Sequence, residues 1–217
     1  MTTVIFKYDF DKDIGNFIAS TRAKNSSKPT KLQQSYIDIY GTDYGEVRVR
    51  EYLKSYIPEL GFEASKSVKL LEQDWRKIEA QFISKVERMF GISYPAPEII
   101  AYLTTNQRCT YSIRQNYFFV HYASKFPNRT IMHEILHFYT WHTFHDDLIK
   151  SDITESRYND VKESLTELLN IEFVDLMQSA HDDGYPQHAE MRKRVKELWL
   201  ETHDMRKLVF GVFSINQ

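Results

Sequence analysis

The chain has 217 residues, of which 42% are hydrophobic and 27% carry a formal charge. This is the composition of a globular protein, and the chain is long enough to bury a core without disulfide bonds. The 28 basic and 30 acidic residues give a formal net charge of −2, so no basic excess favours a nucleic-acid partner. Cys109 is the only cysteine, which excludes an intramolecular disulfide and a disulfide-stapled secreted domain.

The N-terminal residues MTTVIFKYDFDKDIG lack the basic and the long apolar segments of a signal peptide. No stretch of the sequence approaches the roughly 18 uninterrupted apolar residues that a membrane-spanning helix needs. We therefore expect a cytoplasmic protein with no membrane partner. The length of the chain predicts a single domain, residues 1–217.

In chain order, residues 1–10 alternate loosely between apolar and polar and predict a short strand. Apolar spacing then predicts helices at Lys31–Tyr40 and at about Glu46–Ile57, the first ending near a glycine and the second at a proline. The longest helical pattern runs from Glu63 to Phe90, with apolar residues three or four positions apart. We interpret this stripe as the buried face of one scaffold helix.

Three short β-type runs, EIIAYLTT, CTYSI and YFFVHY, lie between Glu98 and Tyr122. Short polar stretches separate the runs, which predicts a small antiparallel meander. The run around Tyr111 is our candidate for an edge strand that binds an extended chain by strand addition. An ordinary hairpin strand explains this run equally well.

The remaining sequence predicts mostly helix. A strongly helical segment follows the last β-type run and continues to about His145. A further helix runs from near Asn159 to about Ala180, and a last one covers roughly Ala189 to Leu208. Between these two helices the stretch HDDGYPQ predicts a turn. Strands and helices together predict an α+β fold class.

The helix that ends near His145 contains the pentad His133-Glu134-x-x-His137. Residues i and i+4 of a helix lie about 40° apart around its axis, so both imidazoles project from one face and can bind one metal ion. Glu134 projects about 100° from His133, where it can reach a water molecule on the metal without coordinating the metal. The pentad predicts a zinc ion, with Glu134 as the general base.

A chance pentad in the core helix of an interaction module is the alternative explanation. The residues around the pentad are apolar on most sides of the helix, which predicts that it is buried: Ile131, Met132, Ile135, Leu136 and Phe138. Two histidines and a glutamate are unfavourable in such a helix unless they share a partner such as a metal ion. We therefore favour the metal site.

A catalytic zinc ion needs a third protein ligand and an open position. One source is an extended motif with a glycine and a third histidine on the same helix. That motif does not fit, because Thr140 and Thr143 occupy its two positions and His142 falls one residue short. We interpret His142 and His145 as surface or packing residues of the helix.

A glutamate further along the chain is the other source of a third ligand. The segment DVKESLTELLNIEF contains Glu163 and Glu167, four residues apart on one face of a predicted helix. In a buried setting, this spacing suggests that one carboxylate binds the metal and the other supports a histidine. Glu155 is a rival ligand by its distance from His137, although it lies in a polar stretch without helical periodicity.

The segment HEILH, followed after 25 residues by ESLTE, resembles the gluzincins, the zincin clan that includes thermolysin and the membrane-alanyl-aminopeptidase type. The resemblance covers about 45 residues, roughly from Phe126 to Asn170. It implies that Glu163 is the third zinc ligand and that Glu167 holds a zinc-binding histidine. Lys162 stands where these proteins often have asparagine, and the spacing is longer than in the two named types.

The resemblance also implies a fold and an activity. The fold is a small, mainly antiparallel sheet packed on the HEILH helix, with a helical N-terminal part over residues 1–92 and a catalytic core over 93–217. The activity is zinc-dependent hydrolysis of peptide bonds in a peptide or protein substrate. A zincin-like protein that binds or regulates with little turnover is the alternative. Gluzincins usually add an oxyanion-stabilising His or Tyr, a role left open among His181, Tyr185, His188, His203 and Tyr158.

Overall fold

The computed structural model describes residues 2–22, 28–151 and 153–213. Over these residues the chain is an α+β protein that forms two compact units. The sheet unit comprises the described parts of Thr3–Lys77 and Glu98–Pro127. The helical unit comprises Ile78–Pro97 and the described residues from 128 onward. The predicted α+β class is confirmed, whereas a zincin-like fold, a single domain and a catalytic core over 93–217 stay predictions.

Among the described residues, the sheet unit contains a four-stranded sheet in the order β1-β2-β4-β3. Its strands are β1 (Thr3–Tyr8), β2 (Glu98–Thr104), β3 (Tyr111–Ser112) and β4 (Tyr117–His121). Its helices are α1 (Phe10–Thr21), α2 (Lys31–Tyr40), α3 (Glu46–Glu59) and α4 (Ala64–Arg76). The strand predicted within residues 1–10 and the helices predicted from Lys31 and from Glu46 are confirmed.

The predicted antiparallel meander, and with it a mainly antiparallel sheet, is wrong. β1 and β2 pair in parallel, β2 and β4 pair in parallel, and β3 pairs antiparallel with β4. β3 carries the chain back along the sheet edge, so β4 runs in the same direction as β2. Side chains alternate with period two in both kinds of pairing, so the pattern within each run does not distinguish them. Tyr111 lies on an edge strand, as predicted, and β3 forms a hairpin with β4, as the alternative predicted. Binding of an extended chain at this edge stays a prediction.

The single helix predicted from Glu63 to Phe90 is wrong, because two helices occupy this stretch. α4 ends at Arg76, and α5 (Glu79–Phe90) begins three residues later, in the helical unit. At the break, the Lys77 N–H donates to the Asp74 carbonyl, an i→i+3 bond that tightens the end of α4. No glycine or proline marks this break, so the apolar stripe continues through it.

The helical unit is built almost entirely from helices. They are α5, α6 (Pro127–Lys150), α7 (Glu155–Ser164), α8 (Glu167–Glu172), α9 (Ala189–Thr202) and α10 (Met205–Phe213), with a 3₁₀ turn at Pro186–His188. α9 packs against α7, α8 and α10. The helix predicted from Asn159 to Ala180 begins earlier and is divided into α7 and α8, while α6 continues five residues beyond the predicted end at His145.

The first half of α6 is buried, as predicted from its apolar residues. Ile131, Ile135 and Phe138 are fully inaccessible to solvent. The ring of Tyr139 packs against Tyr94 and Phe90, with centroids 5.3 and 5.7 Å apart. α6 is the longest described helix, but neither it nor any other described helix has the run of apolar residues that crossing a bilayer requires.

Candidate metal centre

The pentad lies in the first half of α6, which begins at Pro127. Proline is favoured in the first turn of a helix, because its missing N–H has no partner there. One helical turn then separates His133 from His137, and their ring centroids lie 4.5 Å apart. His137 is 1% exposed and Glu134 is 8% exposed, so polar groups of the pentad are buried in an otherwise apolar helix.

Glu163 lies in the last turn of α7. This helix begins at Glu155, because the Thr154 side chain accepts a hydrogen bond from the Arg157 N–H and caps the helix. That start places the apolar residues of α7 three and four positions apart on its buried face. The Glu163 side chain is 17% exposed and projects toward the two histidines of α6.

The side chains of His133, His137 and Glu163 converge. One donor atom from each residue lies within 4.8 Å of the other two. His137 Nε2 is 3.3 Å from Glu163 Oε1, and His133 Nε2 is 3.6 Å from Glu163 Oε2. Zinc–ligand bonds of about 2.0–2.1 Å place neighbouring ligands of a tetrahedron about 3.4 Å apart. The two separations, one to each Glu163 oxygen, are close to this value, so the three residues could hold one zinc ion.

The protonation states of the three donors differ. Burial and the charge of Lys162 lower the pKa of His137 to about 3, so its imidazole is neutral. Burial also lowers the pKa of His133, but the contacts with Asp182 and Glu163 outweigh burial and raise it to about 10. Burial raises the pKa of Glu163, but its contacts with His137, His133 and Lys162 hold it far below its usual range. A metal ion that bound His133 would therefore displace a proton from it.

The Glu134 carboxylate lies beside these donors and is incompletely satisfied. Its Oε2 atom is buried and accepts no hydrogen bond from the described residues. Burial raises the pKa of Glu134 to about 7, and its charge interacts with those of His133, Glu163 and Lys162. A metal cation nearby would lower this pKa and leave a carboxylate that can accept a proton. The orphaned oxygen and the donor set together fit a zinc centre with Glu134 as its base.

Asp182 holds the ring of His133. Its Oδ2 atom accepts a hydrogen bond from His133 Nδ1 at 2.7 Å, which leaves Nε2 to face the metal position. Its Oδ1 atom accepts hydrogen bonds from Thr166 Oγ1 at 3.0 Å and Arg192 Nη1 at 3.1 Å. Its backbone N–H donates to Asn170 Oδ1 at 2.9 Å. Both carboxylate oxygens and the backbone of Asp182 are thus held in place.

Among the described residues, the carboxylate that contacts His133 from outside the donor group is Asp182, whereas Glu167 contacts Arg192 and Asn170. Glu167 Oε2 lies 2.8 Å from Arg192 Nη2 and accepts a hydrogen bond from Asn170 Nδ2 at 3.1 Å. Between α7 and α8 the backbone forms i→i+3 hydrogen bonds. Each residue of such a turn advances about 120° around the axis instead of about 100°. This extra rotation, absent from a continuous helix, turns Glu167 toward Arg192.

Gly184 lets Arg192 lie against the segment that carries Asp182. Its φ of +62° lies in the left-handed region, and a Cβ atom there would be 2.6 Å from Arg192 Nη1. Arg192 is 5% exposed and also donates a hydrogen bond from Nη2 to the Asp182 carbonyl. Only glycine combines this backbone conformation with this close contact.

The rival third ligand and the two later histidines of α6 lie outside the donor group. Glu155 Oε1 is 3.3 Å from His145 Nε2, and the Glu155 side chain is exposed. The His142 ring packs edge-on against Tyr94, with centroids 5.1 Å apart. The interpretation of His142 and His145 as surface or packing residues is confirmed.

The five candidates for oxyanion stabilisation make contacts of their own. Their contacts include His181 with Asp183, His188 with Asp160 and Tyr185, His203 with Trp199, and Tyr158 with Trp141 and His145. None of these contacts involves a metal donor, so the choice among the five stays open.

The sequence alone did not indicate two residues of the centre, Asp182 and Arg192. It showed a third, Lys162, only as a difference from the gluzincin pattern. Asp182 lies 49 residues after His133, in a turn with no periodicity to indicate a buried position. Arg192 lies on a helix with no visible connection to the pentad. Lys162, whose Nζ atom is 3.1 Å from Glu163 Oε1, could have been found, because it lies four residues after Tyr158 on the apolar face of α7.

No family model, no curated protein and no solved structure matches this chain. Similarity therefore assigns no family, and the gluzincin resemblance rests on the pentad and the ESLTE segment alone. What the protein does has to be inferred from the side chains of the helical unit.

Replacing Glu163 and Glu155 one at a time distinguishes which of them is the third metal ligand. We expect Glu163→Ala to lose zinc and Glu155→Ala to keep about one zinc ion per chain. The reason is that Glu163, and not Glu155, lies close to His133 and His137. Elemental analysis of the purified variants measures this, with circular dichroism to show that both are folded. Zinc kept by Glu163→Ala, or lost by Glu155→Ala, would exclude Glu163 as the third ligand.

The two acids that could support a histidine are also distinguishable. We expect Asp182→Asn to weaken zinc binding by about 10- to 100-fold, since the His133 ring loses its charged acceptor. Glu167→Gln should lower the melting temperature through Arg192 but change zinc affinity less than about threefold. Competition with a chelator of known affinity measures both. The reverse order of effects would return the supporting role to Glu167.

Gly184 should be more sensitive to substitution than another glycine with positive φ. Gly91, at the end of α5, has φ of +70° and open space where a Cβ would lie. We expect Gly91→Ala to destabilise the fold by about 1–2 kcal/mol through backbone strain alone. Gly184→Ala should add about 1–3 kcal/mol from the clash with Arg192. Denaturant unfolding measures both, and equal losses would show that Arg192 moves freely aside.

Proposed function

We propose that this protein is a zinc-dependent hydrolase of the gluzincin type, a small cytoplasmic metallopeptidase. The observation that carries the proposal is a group of three possible metal donors within 4.8 Å of one another, beside the buried carboxylate of Glu134. Among the described residues, the Oε2 atom of Glu134 has no hydrogen-bond donor. A structural zinc ion normally has four protein ligands. Three ligands beside an uncommitted base are typical of a catalytic ion.

Each residue of the centre has a task in the proposed mechanism. A bound zinc ion supplies a Lewis acid that polarises the scissile carbonyl and makes a water molecule more acidic. His133, His137 and Glu163 hold the ion, and Asp182 keeps the His133 ring oriented. Glu134 accepts a proton from the attacking water and donates it to the leaving amine as the C–N bond breaks.

A peptide bond is the substrate that the resemblance favours, because its carbonyl needs polarisation and its amine needs a proton. A cytoplasmic location agrees with the single cysteine, since disulfide bonds are common in proteins of oxidising compartments.

The proposal is tested by replacing the base without disturbing the ligands. We expect Glu134→Gln to keep about one zinc ion per chain and to lower turnover by about 10²- to 10⁴-fold, because glutamine cannot accept the proton. Mass spectrometry of a diverse peptide library identifies cleaved peptides, whose hydrolysis rates are then compared between wild type and variant. Glu155→Gln, a substitution at an exposed glutamate of α7, is the matched control and should retain wild-type turnover.

Two outcomes would contradict the proposal. Unchanged turnover in Glu134→Gln would exclude Glu134 as the base. A wild-type protein that carries one zinc ion but cleaves no peptide of the library would instead support the binding or regulatory alternative. Folded wild-type protein that binds no zinc would remove the metal centre altogether.

A further inference from the structure

Lys162 is a buried cation in contact with a proposed metal ligand. Its side chain is 2% exposed, and its Nζ atom lies 3.1 Å from Glu163 Oε1. The same oxygen lies 3.3 Å from His137 Nε2. A buried ammonium is strongly unfavourable unless a carboxylate compensates its charge. Lys162 therefore belongs to the charge balance of the donor group.

The sequence of α7 explains why a lysine is buried at this position. Lys162 lies four residues after Tyr158 and three before Leu165, and both of these side chains are buried. Helical periodicity therefore places Lys162 on the apolar face of α7. Its methylene groups can pack there while the ammonium reaches Glu163. An asparagine, the residue often found here in gluzincins, would be uncharged.

The contact between Lys162 and Glu163 opposes metal binding in two ways. The ammonium lies 3.1 Å from Oε1, an oxygen that would otherwise be available to a metal ion. The positive charge also repels a divalent cation held by the same carboxylate. Because Lys162 is almost completely buried, water and salt screen this repulsion only weakly.

We propose that Lys162 competes with the metal ion for Glu163, so that the centre binds zinc less tightly and releases it faster than the same donors would without the ammonium. The inference rests on the proposed zinc centre and adds a determinant of its affinity. The other oxygen of Glu163, Oε2, lies 3.6 Å from His133 Nε2 and would remain available to a metal ion while the ammonium contacts Oε1. When the metal leaves, the ammonium keeps Glu163 paired, and the metal-free protein stays folded.

The test compares neutral substitutions of Lys162 with a neutral substitution of a remote lysine. Lys162→Met keeps the apolar stem and removes the charge, and Lys162→Gln is a second neutral variant in case the first does not fold. Lys196→Met, at an exposed position of α9, removes the same charge far from the donors in sequence and is the control. Zinc affinity is measured by chelator competition, and zinc release by stopped-flow transfer to a coloured chelator.

We expect both Lys162 variants to bind zinc at least about tenfold more tightly than wild type, with slower release. The control should stay within about twofold of wild type. Wild-type protein stripped of zinc should keep its far-ultraviolet circular dichroism and melt cooperatively. Unchanged or weaker zinc binding in the folded Lys162 variants, with zinc still bound by wild type, would overturn the role of Lys162 alone. Folded wild type and variants that all fail to bind zinc would overturn the proposed centre as well.

Discussion

The buried ion pair between Arg192 and Asp182 is the contact on which the proposed metal centre depends. One oxygen of Asp182 binds Arg192 and the other binds His133, so a single carboxylate ties the imidazole to α9. Glu167 contacts Arg192 as well. Leaving one of these buried charges unpaired would be strongly destabilising, so the positions of the three side chains depend on one another. α8, α9 and the 181–184 segment therefore position His133 without supplying a metal ligand.

The convergence of the three candidate donors could be predicted from the sequence because local geometry determines much of their placement. One helical turn separates His133 from His137 whatever surrounds α6. The orientation of Glu163 is determined when the apolar face of α7 is buried. Asp182 could not be predicted in this way. Aspartate and glycine are common in turns for local reasons, so HDDGYPQ indicates a turn and nothing about a distant histidine. The role of Asp182 exists only through tertiary packing.

The fold shows the same division between local and non-local information. The strand runs and most helices follow from apolar spacing, but the partner of each strand does not. β3 and β4 are close in sequence and pair as a hairpin, whereas β1 and β2 pair across about 90 residues, a contact that loses chain entropy on folding and leaves no local pattern. The break between α4 and α5 is equally invisible, because good helix formers occupy it. Composition and periodicity thus determine the α+β class without determining the direction of the sheet.

Glu134 differs from the charged groups around it. Asp182, Glu163 and Arg192 each contact an opposite charge, whereas Glu134 Oε2 lacks a hydrogen-bond donor among the described residues. An unsatisfied buried acceptor costs about 1–3 kcal/mol, and such exceptions are concentrated at functional sites. Because Glu134 follows His133 directly in α6, the helix fixes its backbone beside the donors. The helix therefore keeps an unfavourable group beside the donors, where the proposed proton transfer occurs, while the neighbouring ion pairs compensate the charges of Asp182, Glu163 and Arg192.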